Sequence, residues 1–137
     1  MQIVHRQSIP TFDAEKNQTG YIIPIFTQGN KTVVYLNVFF PKAFKGYHVH
    51  TEQTNRVYCL AGEVVIYIKD EDHITVTPLS ANSQDCVTIP IQTPIAYENL
   101  GMGNSVLIIS PNPPYNPTNT GEMIPLGREE VEKSVLE

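Results

Sequence analysis

The chain has 137 residues, 41% of them hydrophobic and 17% charged, with a formal net charge of -5. That length suits one domain (1–137), the balance excludes a disordered chain, and the acidic sign argues against a general nucleic-acid surface. No apolar run approaches the roughly 20 residues of a membrane span, the opening residues carry no signal-peptide core, and two cysteines cannot make a disulfide framework, so the expected setting is the cytoplasm.

Strand patterns dominate the chain. Tyr21 to Phe26 is a short apolar run whose Pro24 suggests an edge position, and Thr32 to Phe40 is dense in β-branched and aromatic residues up to Pro41. Tyr47–Val49, Val57–Leu60 and Val64–Ile68 follow at close intervals. Lys69 to Asp72 reads as a hairpin turn into His73–Thr77, which alternates cleanly. Cys86–Ile89, Ile95–Leu100 and Ser105–Ser110 complete the set, with turn signals at Ala61-Gly62, Ser80–Ser83 and Gly101–Asn104. Asn112–Thr120 is proline-rich and polar, a crossing loop. Only Arg128–Leu136 looks helical, with Val131 and Val135 four apart and Glu129 placed to pair with Lys133. Short strands at near-regular spacing predict an all-β sandwich or barrel with a short C-terminal helix.

The stretch from Pro41 to Gly62 carries the chemistry. His48 and His50 are two apart, so on a strand they share a face. Lys45, Gln53, Arg56 and Tyr58 lie nearby, an odd collection for a buried sheet face. If Arg56 and Tyr58 also share that face, a small barrel would enclose imidazoles, a guanidinium and a phenol. Burying such groups without partners costs several kcal/mol, so their clustering asks for a ligand, water or mutual hydrogen bonds. The plainer alternative places both histidines on a solvated edge. Cys59 reads as a small buried apolar residue, and His5 and His73 as isolated and exposed.

This stretch resembles the first motif of the cupin superfamily, matched by Gly46, His48, His50 and Gly62. More narrowly, Tyr35-Leu36-Asn37-Val38, Pro41, Lys45-Gly46-Tyr47-His48 and Glu52-Gln53-Thr54 look like its nucleotide-sugar branch. That branch holds dTDP-4-dehydrorhamnose 3,5-epimerases and dTDP-4-keto-6-deoxyglucose ketoisomerases. Ile89-Pro90 through Asn99-Leu100 resembles the second cupin motif, and Tyr115-Asn116-Pro117 with Gly121 resembles the Tyr-x-Pro stretch of the epimerases. The likeness runs over roughly residues 20 to 125.

The resemblance implies a jelly-roll barrel, a homodimer and a proton shift on a nucleotide-activated 4-keto-6-deoxyhexose through an enolate or enediol. His48 is then the base, His50 a second relay or orienting residue, and Tyr115 the returning acid. Lys45 or Arg56 would hold the developing oxyanion, with Gln53, Tyr58 and Tyr97 binding substrate. Metal-holding cupins use His-x-His, a glutamate about five residues on and a histidine from the second motif. Here those positions fall near Asn55 or Arg56 and on Ile95, so no metal and no other cofactor is expected. The epimerases also pair their catalytic histidine with an aspartate, which Met123 to Gly127 does not supply. The ketoisomerases match His48-Val49-His50 and Cys59 without gaps. A non-catalytic sugar- or nucleotide-binding cupin and a metal-dependent cupin acting on another small molecule remain the rival readings.

Overall fold

Alternating apolar and polar residues sort the side chains of each strand between an interior and an outer surface. The computed structural model describes residues 1–136, with side chains to Lys133. In chain order it contains β1 (Ile9–Phe12), β2 (Gln18–Gln28), β3 (Lys31–Phe39), β4 (Phe44–His50), β5 (Thr54–Ala61) and β6 (Glu63–Asp70). These are followed by β7 (His73–Ser80), β8 (Cys86–Ile89), β9 (Ile95–Asn99), β10 (Ser105–Asn112), β11 (Met123–Pro125) and α1 (Arg128–Leu136). A six-stranded sheet runs β1-β2-β3-β10-β5-β8 and a five-stranded sheet runs β11-β4-β9-β6-β7, with every pair antiparallel. This is a jelly-roll barrel with a short C-terminal helix, the predicted class.

The sheets face one another across Phe39, Val57, Cys59, Val64, Ile66, Leu79, Ile89, Ile95, Tyr97, Leu107 and Ile109, all buried. Each large apolar side chain moved from water into such a core contributes about 1.5–3 kcal/mol. The outer face of the five-stranded sheet is covered by α1, whose Val131 packs with Tyr47 and Ala96. The expected Glu129–Lys133 pair does not form. Arg128 bonds Glu132 at 3.0 Å instead, while its guanidinium lies 3.9 Å over the Phe44 ring. The side chain of Val135, the other half of the predicted apolar pair, lies outside the described residues.

Pro24 sits where expected in effect, though not in topology. β2 has two neighbours, but β1 pairs only as far as Ile22, so Pro24 faces β3 alone. β1 and β11, at four and three residues, are too short to stand out as patterns.

One end of the barrel is sealed by Asn99, which is fully buried. Its Nδ2 donates to the carbonyls of Phe39 (3.3 Å), Phe40 (3.0 Å) and Gly103 (2.9 Å), and its Oδ1 accepts from the Gly101 N–H and Ser105 hydroxyl. Gly62 turns the chain there with φ of 77°, and a Cβ on it would collide with Ser105. The histidines lie toward the other end, where β4 runs out at His50 and β5 begins at Thr54.

Candidate functional site

Register fixes which side chains face the interior. His48 pairs with Ile95 and Lys45 with Tyr97 across β4 and β9, and both partners belong to the core. A bulge between Lys45 and His48 keeps these residues inward while turning Tyr47 out beneath the helix. His48 and His50 therefore share the inner face, with ring centroids 5.0 Å apart at an interplanar angle of 86°. Tyr97 stacks obliquely on His48 at 6.2 Å and edge-on to Phe39 at 5.8 Å.

Each imidazole is held by one nitrogen. His48 Nδ1 lies 3.2 Å from the Gly46 carbonyl, which can only accept, so the proton resides on Nδ1. His50 Nδ1 donates to the Glu122 carboxylate at 2.9 and 3.1 Å. Among the described residues neither Nε2 has a hydrogen-bond partner. Burial is the main force holding His48 well below the ordinary imidazole range, at about 4; the neighbouring His50 lowers it further, while Gly46 and Glu122 oppose the shift. At neutral pH His48 is uncharged.

Glu122 is the residue that the sequence reading missed. It is 2% exposed and also accepts the backbone N–H groups of Gln53 (3.0 Å) and Glu52 (3.4 Å). Three donors thereby compensate a carboxylate that would otherwise be costly to bury. Its carbonyl accepts from Thr51 N (2.7 Å) and Oγ1 (3.0 Å), tying the crossing loop to the β4–β5 turn. A carboxylate partner for a histidine is therefore present one residue before Met123, and it serves His50 rather than His48. Glu122 is carried there by Met123-Ile124-Pro125, which pairs antiparallel with His50-Val49-His48 but is too short to read as a strand from sequence.

The remaining predicted residues divide. Lys45 reaches from β4 to the other sheet, donating to Asn37 Oδ1 and to the Val38 carbonyl at 2.9 Å. Burial lowers its amine from the usual lysine range to about 7. Gln53 is buried beside Glu122. Tyr115 joins the rim through a two-bond bridge to Thr32 and is 39% exposed. Burial raises the phenol of Tyr35, with Glu122 and Tyr115 adding to the effect. Burial likewise raises Tyr97.

Arg56 and Tyr58 require a correction. They alternate with Asn55, Val57 and Cys59, which point inward, so they lie on the outer face of the six-stranded sheet. Arg56 is exposed and donates to Ser110 Oγ at 3.2 Å, away from the histidines. The inward polar residue of that segment is Asn55, 2% exposed, whose Oδ1 has no hydrogen-bond partner among the described residues.

The donor set does not fit a transition metal. Asn55, which pairs with the core residue Ile89, offers a neutral amide oxygen, and Ile95 stands beside His48 where a further imidazole would be needed. Among the described residues no three His, Cys, Asp or Glu side chains are grouped to hold a metal ion. Two imidazoles and an amide make a poor site. Nor, among the described residues, is any helix long and apolar enough to cross a membrane.

No protein-family model matches this sequence, and no curated protein matches it. Among solved structures it is similar to the capsular polysaccharide assembling protein CapF from Staphylococcus aureus (TM-score 0.72, 23% identity, 88% of this chain and 34% of CapF). It is also similar to the Drosophila melanogaster CENP-C cupin domain (TM-score 0.63, 14% identity, 77% of this chain and 75% of that one). A third is a predicted oxalate decarboxylase from Thermotoga maritima (TM-score 0.64, 14% identity, 80% of this chain and 97% of that one). The chain spans about a third of the length of CapF. These likenesses establish the cupin fold.

Proposed function

We propose that the chain catalyses a metal-independent proton shift next to the carbonyl of a nucleotide-activated keto-sugar, an epimerisation or ketoisomerisation on a dTDP-4-keto-6-deoxyhexose. One observation carries the reading: two imidazoles share the inner face, each with Nδ1 held by an acceptor and Nε2 without a hydrogen-bond partner among the described residues. Moving a proton from one carbon to its neighbour, or from one face to the other, needs a group that takes it and a group that returns it. His50, held by Glu122, has the carboxylate support that orients a base and stabilises its charged form. His48, uncharged and 5.0 Å away by ring centroid, serves as the second relay in this reading. This exchanges emphasis with the sequence expectation, which gave His48 the leading part. Lys45 or Tyr97 serves the developing oxyanion, Gln53 lines the Glu122 side, and Tyr115 supplies the acid at the rim. The association of CapF with capsular polysaccharide assembly accords with sugar chemistry on this fold.

The test is incubation with dTDP-4-keto-6-deoxyglucose in D2O. Deuterium should enter beside the ketone, and His50→Ala and His48→Ala should each slow this by about 10²- to 10⁴-fold. Nucleotide binding without exchange would instead establish a non-catalytic sugar-nucleotide binder. We further propose a homodimer. Phe26 and Leu60, 63% and 52% exposed, lie on the six-stranded sheet, whereas α1, the one helix among the described residues, packs on β4 and β7 of the other sheet. Sedimentation at micromolar concentration should show twice the chain mass; a monomer would remove this part.

A further inference from the structure

A cavity of about 540 Å³ opens beside the histidine end of the barrel, between the β6–β7 hairpin and the loop from β8 to β9. Its walls are tied to each other and to β4. Lys69 N–H donates to the Pro94 carbonyl at 2.9 Å, and Gln92 N–H donates to the His50 carbonyl at 2.8 Å. Ile68, half-buried against the core, pairs with Ile95, which in turn pairs with His48. Neither histidine lines the cavity, so it is a neighbour of their site and not a part of it.

The lining divides by chemistry. Ile68, Pro90 and Pro94 present aliphatic surface. Asp70, Glu71, Thr75 and Gln92 bring two carboxylates, a hydroxyl and an amide, and none of these side chains has a hydrogen-bond or ion-pair partner among the described residues. Lys69 is the single amine, which leaves the lining with a formal negative charge. Gln92 holds its place at φ of 62°, where glycine would sit without strain but would bring no amide.

These groups suit a neutral polyhydroxylated ring. An ionised carboxylate only accepts, and can take both O–H bonds of a vicinal diol; a carboxamide donates and accepts, and a hydroxyl does either. The C–H face of such a ring packs on proline and isoleucine as apolar surface. The volume falls in the range of small-molecule sites. A phosphate meets the opposite setting, two carboxylates against one lysine.

We infer that this cavity is a binding subsite for a neutral sugar ring, either a free sugar or one residue of a longer glycan. It needs no imidazole, carbonyl or nucleotide, so it stands apart from the proton shift and each can fail alone.

The test follows the amide signals of the native 15N-labelled chain during titration with methyl α-glucoside, methyl α-rhamnoside, maltotriose and glucose 1-phosphate, each to about 50 mM. None of these probes carries a free ketone, so the readout is independent of proton exchange. At least one neutral probe should give saturable shifts at Lys69–Glu71, Thr75, Gln92 and Thr93. Asp70→Ala and Gln92→Gly should each weaken that binding about fivefold or more, and glucose 1-phosphate should bind about fivefold or more weakly than the best neutral probe. The glycine variant keeps the backbone conformation, and unchanged signals elsewhere verify its fold. Maltotriose binding more tightly than methyl α-glucoside identifies a glycan as the source, and equal affinities identify a free sugar; both uphold the subsite. No saturable shift with any neutral probe, shifts confined to β4, or glucose 1-phosphate binding as tightly as the neutral probes would overturn it.

Discussion

Replacing Glu122 by glutamine changes one atom and removes one charge from a buried site. The carboxylate offers two oxygens to His50 Nδ1–H, Gln53 N–H and Glu52 N–H, whereas the amide offers one oxygen and an NH2 group. If the amide oxygen stays with the backbone donors, its NH2 faces His50 Nδ1 and forces the proton to Nε2. The lone pair that faced the barrel is then lost. Hydrogen bonds to a charged acceptor are worth roughly 1.5–3 kcal/mol and neutral ones about 1, so Glu122→Gln should cost about 1–2 kcal/mol. For a domain of this size that lowers Tm by about 4–8 °C. The effect on proton exchange should be larger, about 10²- to 10⁴-fold, because a tautomer is wrong rather than a contact weaker. Urea denaturation gives the first number and deuterium incorporation the second. A variant within 0.5 kcal/mol and threefold of wild type would refute the pairing of Glu122 with His50 as the support of a base.

Other expectations follow from the same geometry. His48 is neutral in the fold down to about pH 4 but titrates near 6.5 when unfolded, so the unfolded chain binds more protons between those values. Stability from this group is full above pH 6.5 and falls by about 2–3 kcal/mol as pH drops through 4. A His48→Gln variant whose acid slope in urea melts equals that of wild type would contradict it. Asn99→Ala removes five hydrogen bonds at the sealed end and should cost about 2–4 kcal/mol by the same melts; under 1 kcal/mol would mean water replaces the network. Arg56→Ala, on the outer face, should leave exchange and nucleotide affinity within twofold, whereas a tenfold loss would return Arg56 to the site. Dialysis against a chelator should leave exchange unchanged, and loss restored by one transition metal would favour the metal-dependent alternative.

The barrel was legible because apolar alternation is a local signal. Thr32–Phe40 and Val64–Ile68 carry their strand character within themselves, and β6 and β7 extend the predicted runs only at their ends. That His48 and His50 share a face followed from their spacing of two, and the register of β4 with β9 makes that face the inner one. What escaped was set by pairing over long separations. Arg56 and Tyr58 also lie two apart, but spacing alone does not say which of two faces they take; the register of β5 with β10, Val57 opposite Ile109, turns them out. Glu122 lies 72 residues from His50, and nothing local marks it as buried. Only the antiparallel run of β11 along β4 brings it there, and three residues are too few to read as a strand. Asn55 falls near the metal position of related cupins by its distance from the histidines, but only the pairing of β5 turns it inward, where its Oδ1 has no hydrogen-bond partner among the described residues.

The account rests on two inward-facing imidazoles whose Nδ1 atoms carry their protons. Long-range 15N–1H correlation spectra of uniformly labelled protein, recorded from pH 7.5 to 4, report the tautomer and charge of each ring directly. Nδ1 should carry a proton in both rings at pH 7.5, with His48 remaining neutral to about pH 4 and the Nδ1 proton of His50 lost in Glu122→Gln. Nε2–H tautomers for both rings at pH 7.5, unchanged in Glu122→Gln, would contradict the account.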